Sequence, residues 1–212
     1  FLCIHAFSMR AQDPGSYDGI HSKGELPDGF MVTSTEKYLK SAGRNDINQS
    51  REVRLAQDDF FLKSNFYIDA LQFNGNVWIN DQIGDYVNKV ADKLLTKNPK
   101  LRDEIQIYIA RFPDVNAFAT DQGVICINLG LIAKLRSEAE LAFILGHEIV
   151  HFEKKHAMDG YVEQVKISKG LEGYKEMSWN ESVSKIHSYS KDLEFAADLA
   201  GLEMYLNTDY DI

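Results

Sequence analysis

The chain has 212 residues, 44% of them hydrophobic, which is enough to bury one substantial core, so a single domain is expected. Thirty-two acidic residues against 23 basic ones give a formal charge of −9, and the pI is about 5.1, which argues against a nucleic-acid groove or an anionic membrane surface as partner. No stretch approaches the roughly 18 apolar residues of a membrane span, and two cysteines, Cys3 and Cys126, make no disulfide framework.

The chain begins with Phe1 and not with methionine, and its start, FLCIHAFSMRAQ, resembles the end of a signal peptide cut near Ala11. Residues 1–11 therefore read as a signal remnant, with export to a bacterial periplasm, or elsewhere in the envelope, as the destination. Small residues of a lipoprotein box do not precede Cys3, so no lipid anchor is expected. Residues 12–57 are rich in Gly, Asp, Ser, Asn and Gln, with a helical hint only at Glu36 to Ala42, and read as a loop-rich leader to a domain spanning 58–212. Asn48-Gln49-Ser50 and Asn180-Glu181-Ser182 match the glycosylation pattern and are taken as chance. From Asp58 to Asn74, the side chains of Phe60, Phe61, Leu62, Phe66, Tyr67, Leu71 and Phe73 predict a helix docked on the core.

Ile83, Tyr86, Val87, Val90, Ala91, Leu94 and Leu95 recur at helical spacing behind Asn80 and Asp81 as caps, and Asn98-Pro99 ends that helix. Ile105, Ile107 and Ile109 alternate with Gln106, Tyr108 and Ala110, the pattern of a half-buried strand. Asn116 to Ala119 and Val124 to Ile127 flank Thr120-Asp121-Gln122-Gly123, and a hairpin is the simplest reading. Cys126 lies in that apolar run and behaves as a small buried hydrophobe. A short helix is expected over Leu129 to Leu135. Ser137-Glu138-Ala139-Glu140 then spells a capping box.

That box opens LAFILGHEIVHFEKKH, Leu141 to His156, which sets three ionisable groups in an apolar segment. On a helix, His147 and His151 lie about 40° apart around the axis and about 6 Å along it, so both imidazoles reach one small object. Zinc is the natural candidate, with Glu148 beside an open coordination position. The alternative, a buried helix whose polar groups are satisfied by neighbours, must meet a cost of several kcal/mol for each uncompensated charge. Further on, SKDLEFAADLAGLEMYL carries Glu194 and Asp198 four residues apart among Ala196, Ala197, Ala200 and Gly201, side chains small enough for a second helix to come close. Glu194 completes a His₂Glu site with the fourth position open, the pattern of a catalytic zinc, one ion per chain. Asp198, one turn on, accepts the other N–H of a ligating imidazole. A solvated acidic face is the competing reading. Between these helices, residues 157–190 are polar, with Gly160, Gly170 and Gly173 and a helical pattern from Tyr161 to Ile167. They suit either a flap over a cleft or an ordinary connector.

HEIVHFEKKH followed by EFAAD resembles the gluzincin metalloendopeptidases that include the CaaX prenyl protease and the heat-shock protease HtpX, and within them the soluble periplasmic branch. The resemblance runs from about Gly75 to the end of the chain through NDQIGDYVNKVADKLL, FPDVNAFATDQGVICINLGLI and SEAELAFILGHEIVHFEKKH. It implies an α+β, mostly helical zincin-like domain with a small sheet. By position it assigns His147, His151 and Glu194 to the metal, Glu148 to catalysis and Asp198 to support. A histidine often stands where His156 does; metal support and a polar helix end are both open for it. The NAFA-like segment implies an edge strand above the metal to which a polypeptide substrate adds, with Asn116, Ala117 and Phe118 in contact. A turn-stabilising role for Asn116 after Pro113 stays open. The Thr-Asp-Gln-Gly turn departs from the Pro-Gly-Gly form common in relatives.

What this implies is peptide hydrolysis by a metal-activated water with Glu148 as general base, acting on unfolded or misassembled envelope proteins. A metal-stabilised chaperone or binding module and a domain without metal are the competitors. The resemblance also places an oxyanion-stabilising histidine and arginine beyond the Glu194 helix, past Ile212. The expectation is then of slower cleavage than by a longer chain, unless His187 and Tyr189, read as residues of the connector, stand in.

Overall fold

The computed structural model describes residues 49–171, 174–175 and 177–210; the expected signal remnant, Cys3 and the helical hint at Glu36 to Ala42 lie outside them. The first helix, α1 (Arg51–Phe73), starts inside the expected leader and well before Asp58, because Ser50 caps it by accepting the N–H of Val53. Its phase also differs from expectation. Val53, Ala56, Phe61, Ile68 and Leu71 face inward, and with them the polar Gln57, Asn65 and Gln72. At 3.6 residues per turn this leaves Leu55, Leu62, Phe66 and Phe73 on the outer side, Phe66 59% and Phe73 65% exposed. Of the residues expected to dock, Phe61 and Leu71 do so, while Leu62, Phe66, Tyr67 and Phe73 are exposed.

A short strand β1 (Val77–Trp78) precedes α2 (Gln82–Leu94), which Asp81 caps through Gly84 N–H at 2.8 Å. Val87, Val90, Ala91 and Leu94 form its buried face, as the spacing predicts, while Tyr86 turns out to solvent. Asn98 both stops α2 and caps the brief α3 (Pro99–Asp103). Then follow β2 (Gln106–Ala110), β3 (Ala117–Ala119) and β4 (Val124–Asn128). The sheet order is β1-β2-β4-β3, with β2 and β4 parallel and both edge pairs antiparallel. The expected hairpin is β3 with β4; its turn needs Gly123, at φ +83°, where a Cβ would stand 2.0 Å from the Glu104 carbonyl.

Strand β2 is buried on both faces rather than one. Ile107 and Ile109 pack with Ile125 and Ile127 against α2 and the later helices. Tyr108 and Ala110 join Val124, Cys126, Ile68, Leu71 and Val77 beneath α1. A central strand between two layers reads as continuously apolar, and the polar head of Gln106 at its exposed start had suggested otherwise. After the single turn α4 (Leu129–Ile132) come α5 (Glu138–Glu153), α6 (His156–Ser168) and α7 (Trp179–Leu206). The result is α+β and mostly helical, with one small sheet. Among the described residues no helix is long and apolar enough to cross a membrane.

Candidate metal centre and cleft

Ser137 begins α5 by accepting the Glu140 N–H at 3.1 Å, but the Glu140 carboxylate bonds the N–H of Arg136, so the box is not reciprocal as expected. A reciprocal box does occur at Ser178 and Glu181, where it starts α7. The two helices cross at Gly146 and Gly201. A Cβ on Gly201 would lie 2.8 Å from the His147 nitrogen, and one on Gly146 would lie 3.0 Å from the Gly201 carbonyl oxygen. Backbone therefore meets backbone one residue from His147, and Glu194, about two turns before the crossing on α7, stands over the imidazoles.

His147, His151 and Glu194 offer ligand atoms that all lie within 4.8 Å of one another. The Nε2 atoms of the two histidines are 3.0 Å apart; Glu194 Oε2 is 3.4 Å from His147 Nε2, and Oε1 is 3.7 Å from His151 Nε2. Donors each about 2.0 to 2.1 Å from a tetrahedral zinc are separated by about 3.3 Å, so the three groups fit that ion with little movement. Tautomers agree with this. Asp198 Oδ1 lies 2.9 Å from His147 Nδ1 and can only accept, so His147 carries its proton there and turns a bare Nε2 lone pair inward. On the other side, His151 Nδ1 is 3.1 Å from His156 Nδ1. Burial, with His147 and His156 adding to it, pushes His151 down to about 4, which keeps the imidazole neutral as a ligand must be. His156 is buried and shifted down for the same first reason, so it stands against the ligand's outer nitrogen rather than at a wet helix end.

Glu148 is buried beside these groups. Burial pushes it up to about 7, with Glu194 adding and His147 and a backbone hydrogen bond from Ala119 opposing. Asn128 N–H donates to the Asn116 carbonyl and Thr120 N–H to the Val124 carbonyl, so by antiparallel alternation the N–H and C=O of Ala117 and Ala119 point away from β4, toward the free edge. Ala117 and Ala119 pack toward the main core, while the Phe118 ring turns to α1 and meets Tyr67 at 6.0 Å. Asn116, Ala117 and Phe118 all line one cleft of about 550 Å³ with His147, Glu148, His151 and Glu194. The Asn116 N–H also closes a turn on the Asp114 carbonyl, so the residue serves the backbone as well.

Three features escaped the sequence reading. Residues from His156 form a helix at once, and Ala157, Gly160, Tyr161 and Gln164 make a wall of the cleft. His187 and Tyr189 belong to α7 and not to a connector; Tyr189 lines the cleft and His187 is exposed. The capping box Ser178-Trp179-Asn180-Glu181 was the available signal for this. Third, Asp121 Oδ2 accepts the N–H of Met158 at 3.0 Å, capping α6 from a distant turn where the local N-cap, Lys155, makes no side-chain bond. Next to it Gln122 Nε2 donates to Ser64 Oγ on α1.

Two histidines and a later carboxylate converging beside a buried glutamate and a free strand edge are the layout of a gluzincin metallopeptidase domain. The chain belongs to peptidase family M48, whose model matches residues 78–212. It is 24% identical over 123 residues to the beta-barrel assembly-enhancing protease of Yersinia pestis, covering 58% of this chain and 25% of that protein. A putative beta-barrel assembly-enhancing protease of Vibrio cholerae is 27% identical over 124 residues, again 58% of this chain and 25% of the relative. Mitochondrial metalloendopeptidase OMA1 of Arabidopsis thaliana is 25% identical over 112 residues, 50% of this chain and 23% of the relative. The chain thus spans about a quarter of the length of these curated relatives.

Proposed function

We propose that this chain carries the catalytic domain of a zinc metalloendopeptidase that hydrolyses unfolded or misassembled polypeptides of the bacterial envelope. The observation that carries the reading is the convergence of His147, His151 and Glu194, at mutual distances of 3.0 to 3.7 Å, beside Glu148. Zinc held by those three groups supplies Lewis acidity to a water and to a peptide carbonyl. Asp198 keeps His147 in the tautomer that presents Nε2, and His156 does the corresponding work at His151. Glu148 takes the proton of the attacking water on its carboxylate and passes it to the leaving amine; a group buried to a pKa near 7 is matched to both transfers. An extended substrate pairs with the outward N–H and C=O of Ala117, with Asn116 and Phe118 beside it.

Glu148→Gln is expected to retain zinc and lose hydrolysis of an unfolded barrel protein, whereas His147→Ala and Glu194→Ala lose the metal too. Zinc content by mass spectrometry and product formation on gels check this. Full zinc occupancy in both ligand variants would sink the ligand assignment; a zinc-loaded wild type that binds unfolded protein without cutting it would favour a holding module instead. The envelope destination draws on the relatives named for barrel assembly. Fractionation of cells bearing the full-length gene should recover the protein outside the cytosol.

A further inference from the structure

Beside the cleft lies a smaller recess of about 270 Å³ between α1, α6 and α7. Glu163 and Tyr189 line both spaces, so the recess adjoins the cleft across these two side chains. Whole-ligand pockets run from roughly 300 to 1,000 Å³, so this one is scaled to a single side chain.

Its lining is biased to one kind of polar atom. Asp159 and Glu163 bring carboxylates from successive turns of α6. Gln57, only 7% exposed, brings an Oε1 that has no hydrogen-bond partner, and the buried Oε1 of Gln49 at the foot of α1 has none either. An unpartnered buried acceptor costs about 1 to 3 kcal/mol, so two of them on residues that line one recess favour a donor entering there. Lys166 is the cation among the lining residues, and at 4.0 Å from Glu163 it meets one carboxylate. Tyr174 donates its hydroxyl to the same Glu163. Asp159 is shifted up by burial, against which His156, Lys155 and Lys166 act only in part. Tyr189, also shifted up by burial, is pushed further by Asp159 and Glu163. Acceptors therefore outnumber donors, and negative charge outnumbers positive.

We propose that this recess is a specificity subsite that takes a lysine or arginine side chain of the bound polypeptide; it rests on the metallopeptidase reading above. A guanidinium or ammonium is all donor and no acceptor, and its apolar stem suits the walls that Val53 and Val162 contribute. A charge paired across a desolvated recess is where a substrate distinguishes itself by affinity.

The test uses the zinc-loaded Glu148→Gln protein, so that binding is read without cleavage. Labelled extended peptides, identical except for one scanned position holding arginine, norleucine or glutamate, are titrated by fluorescence anisotropy. Arginine at one register should bind about tenfold tighter than norleucine, with glutamate weakest. Asp159→Asn combined with Glu163→Gln should collapse that ratio toward parity, and Asp159→Lys should reverse it in favour of glutamate, at unchanged zinc content. Equal affinity for all three peptides at every register, or a ratio that survives both substitutions, overturns the subsite while leaving the peptidase reading intact. Failure of every peptide to bind overturns both.

Discussion

At the scale of single residues, Asp121 carries a consequence for stability. Burial pushes its carboxyl up to about 7, with the Met158 N–H holding it down and Asp159 adding to the rise. Its unfolded value is near 3.9. A folded-state pKa above the unfolded one means that the native protein binds the extra proton, so stability falls as pH rises from about 4 to about 7 and stays lower above that. Asparagine keeps the acceptor for Met158 and carries no charge. Asp121→Asn should therefore melt at a higher temperature than wild type at pH 8, with the gap clearly narrower at pH 5 and closing near pH 4; an equal gap at pH 8 and pH 5 would refute the assignment. Glu148 shifts in the same direction, but it is common to both proteins and cancels in the difference. The cluster of His147, His151 and Glu194 was legible because a candidate metal centre demands particular side chains at fixed spacing. Asp121 was not, since its partner is 37 residues away and nothing local marks an aspartate in a turn as a helix cap.

Among elements, α2 and α5 were read well because their buried faces follow the helical period and their ends carry recognisable caps. Helix α1 was expected to dock and does, but its start was missed and Phe66 and Phe73 lie off the buried stripe, which includes three amides. The double burial of β2 depends on a layer, α1, whose placement no local pattern encodes. Small residues on α7 did announce a close helix approach, and Gly201 is where it happens. Alanine favours a helix over glycine by about 1 kcal/mol, so in isolation Gly201→Ala would stabilise α7. At the crossing its Cβ would press on the backbone nitrogen of His147, and overpacking of this kind costs about 1 to 3 kcal/mol. The second effect should win. The variant should stay helical by circular dichroism and bind zinc about tenfold or more weakly in competition with a chromophoric chelator. Unchanged zinc affinity together with a higher melting temperature would show that the crossing has slack.

For the molecule as a whole, fold class and cleft were legible from motif and resemblance, while the order β1-β2-β4-β3 was not, because a parallel neighbour separated by a hairpin strand leaves no trace in periodicity. One face of α7 lies on α5, and Phe195, Leu199, Leu202 and Leu206 on its far side face solvent. Helix α7 is thus gripped from one side along its last turns, and from it Glu194 reaches both His147 and His151 while Asp198 reaches His147. An ion bound there acts as a latch between the two helices as well as a reagent. Ligation that exists only in the native arrangement stabilises it by about 4 kcal/mol when free metal stands a thousandfold above its dissociation constant. Chelation and Gly201→Ala should accordingly leave the same hydrogen-exchange signature, faster opening along α7 with α2 and β2 unmoved. If that signature is seen, the apoprotein is a domain with one wall ajar, and the metal it holds sets how often that wall is shut.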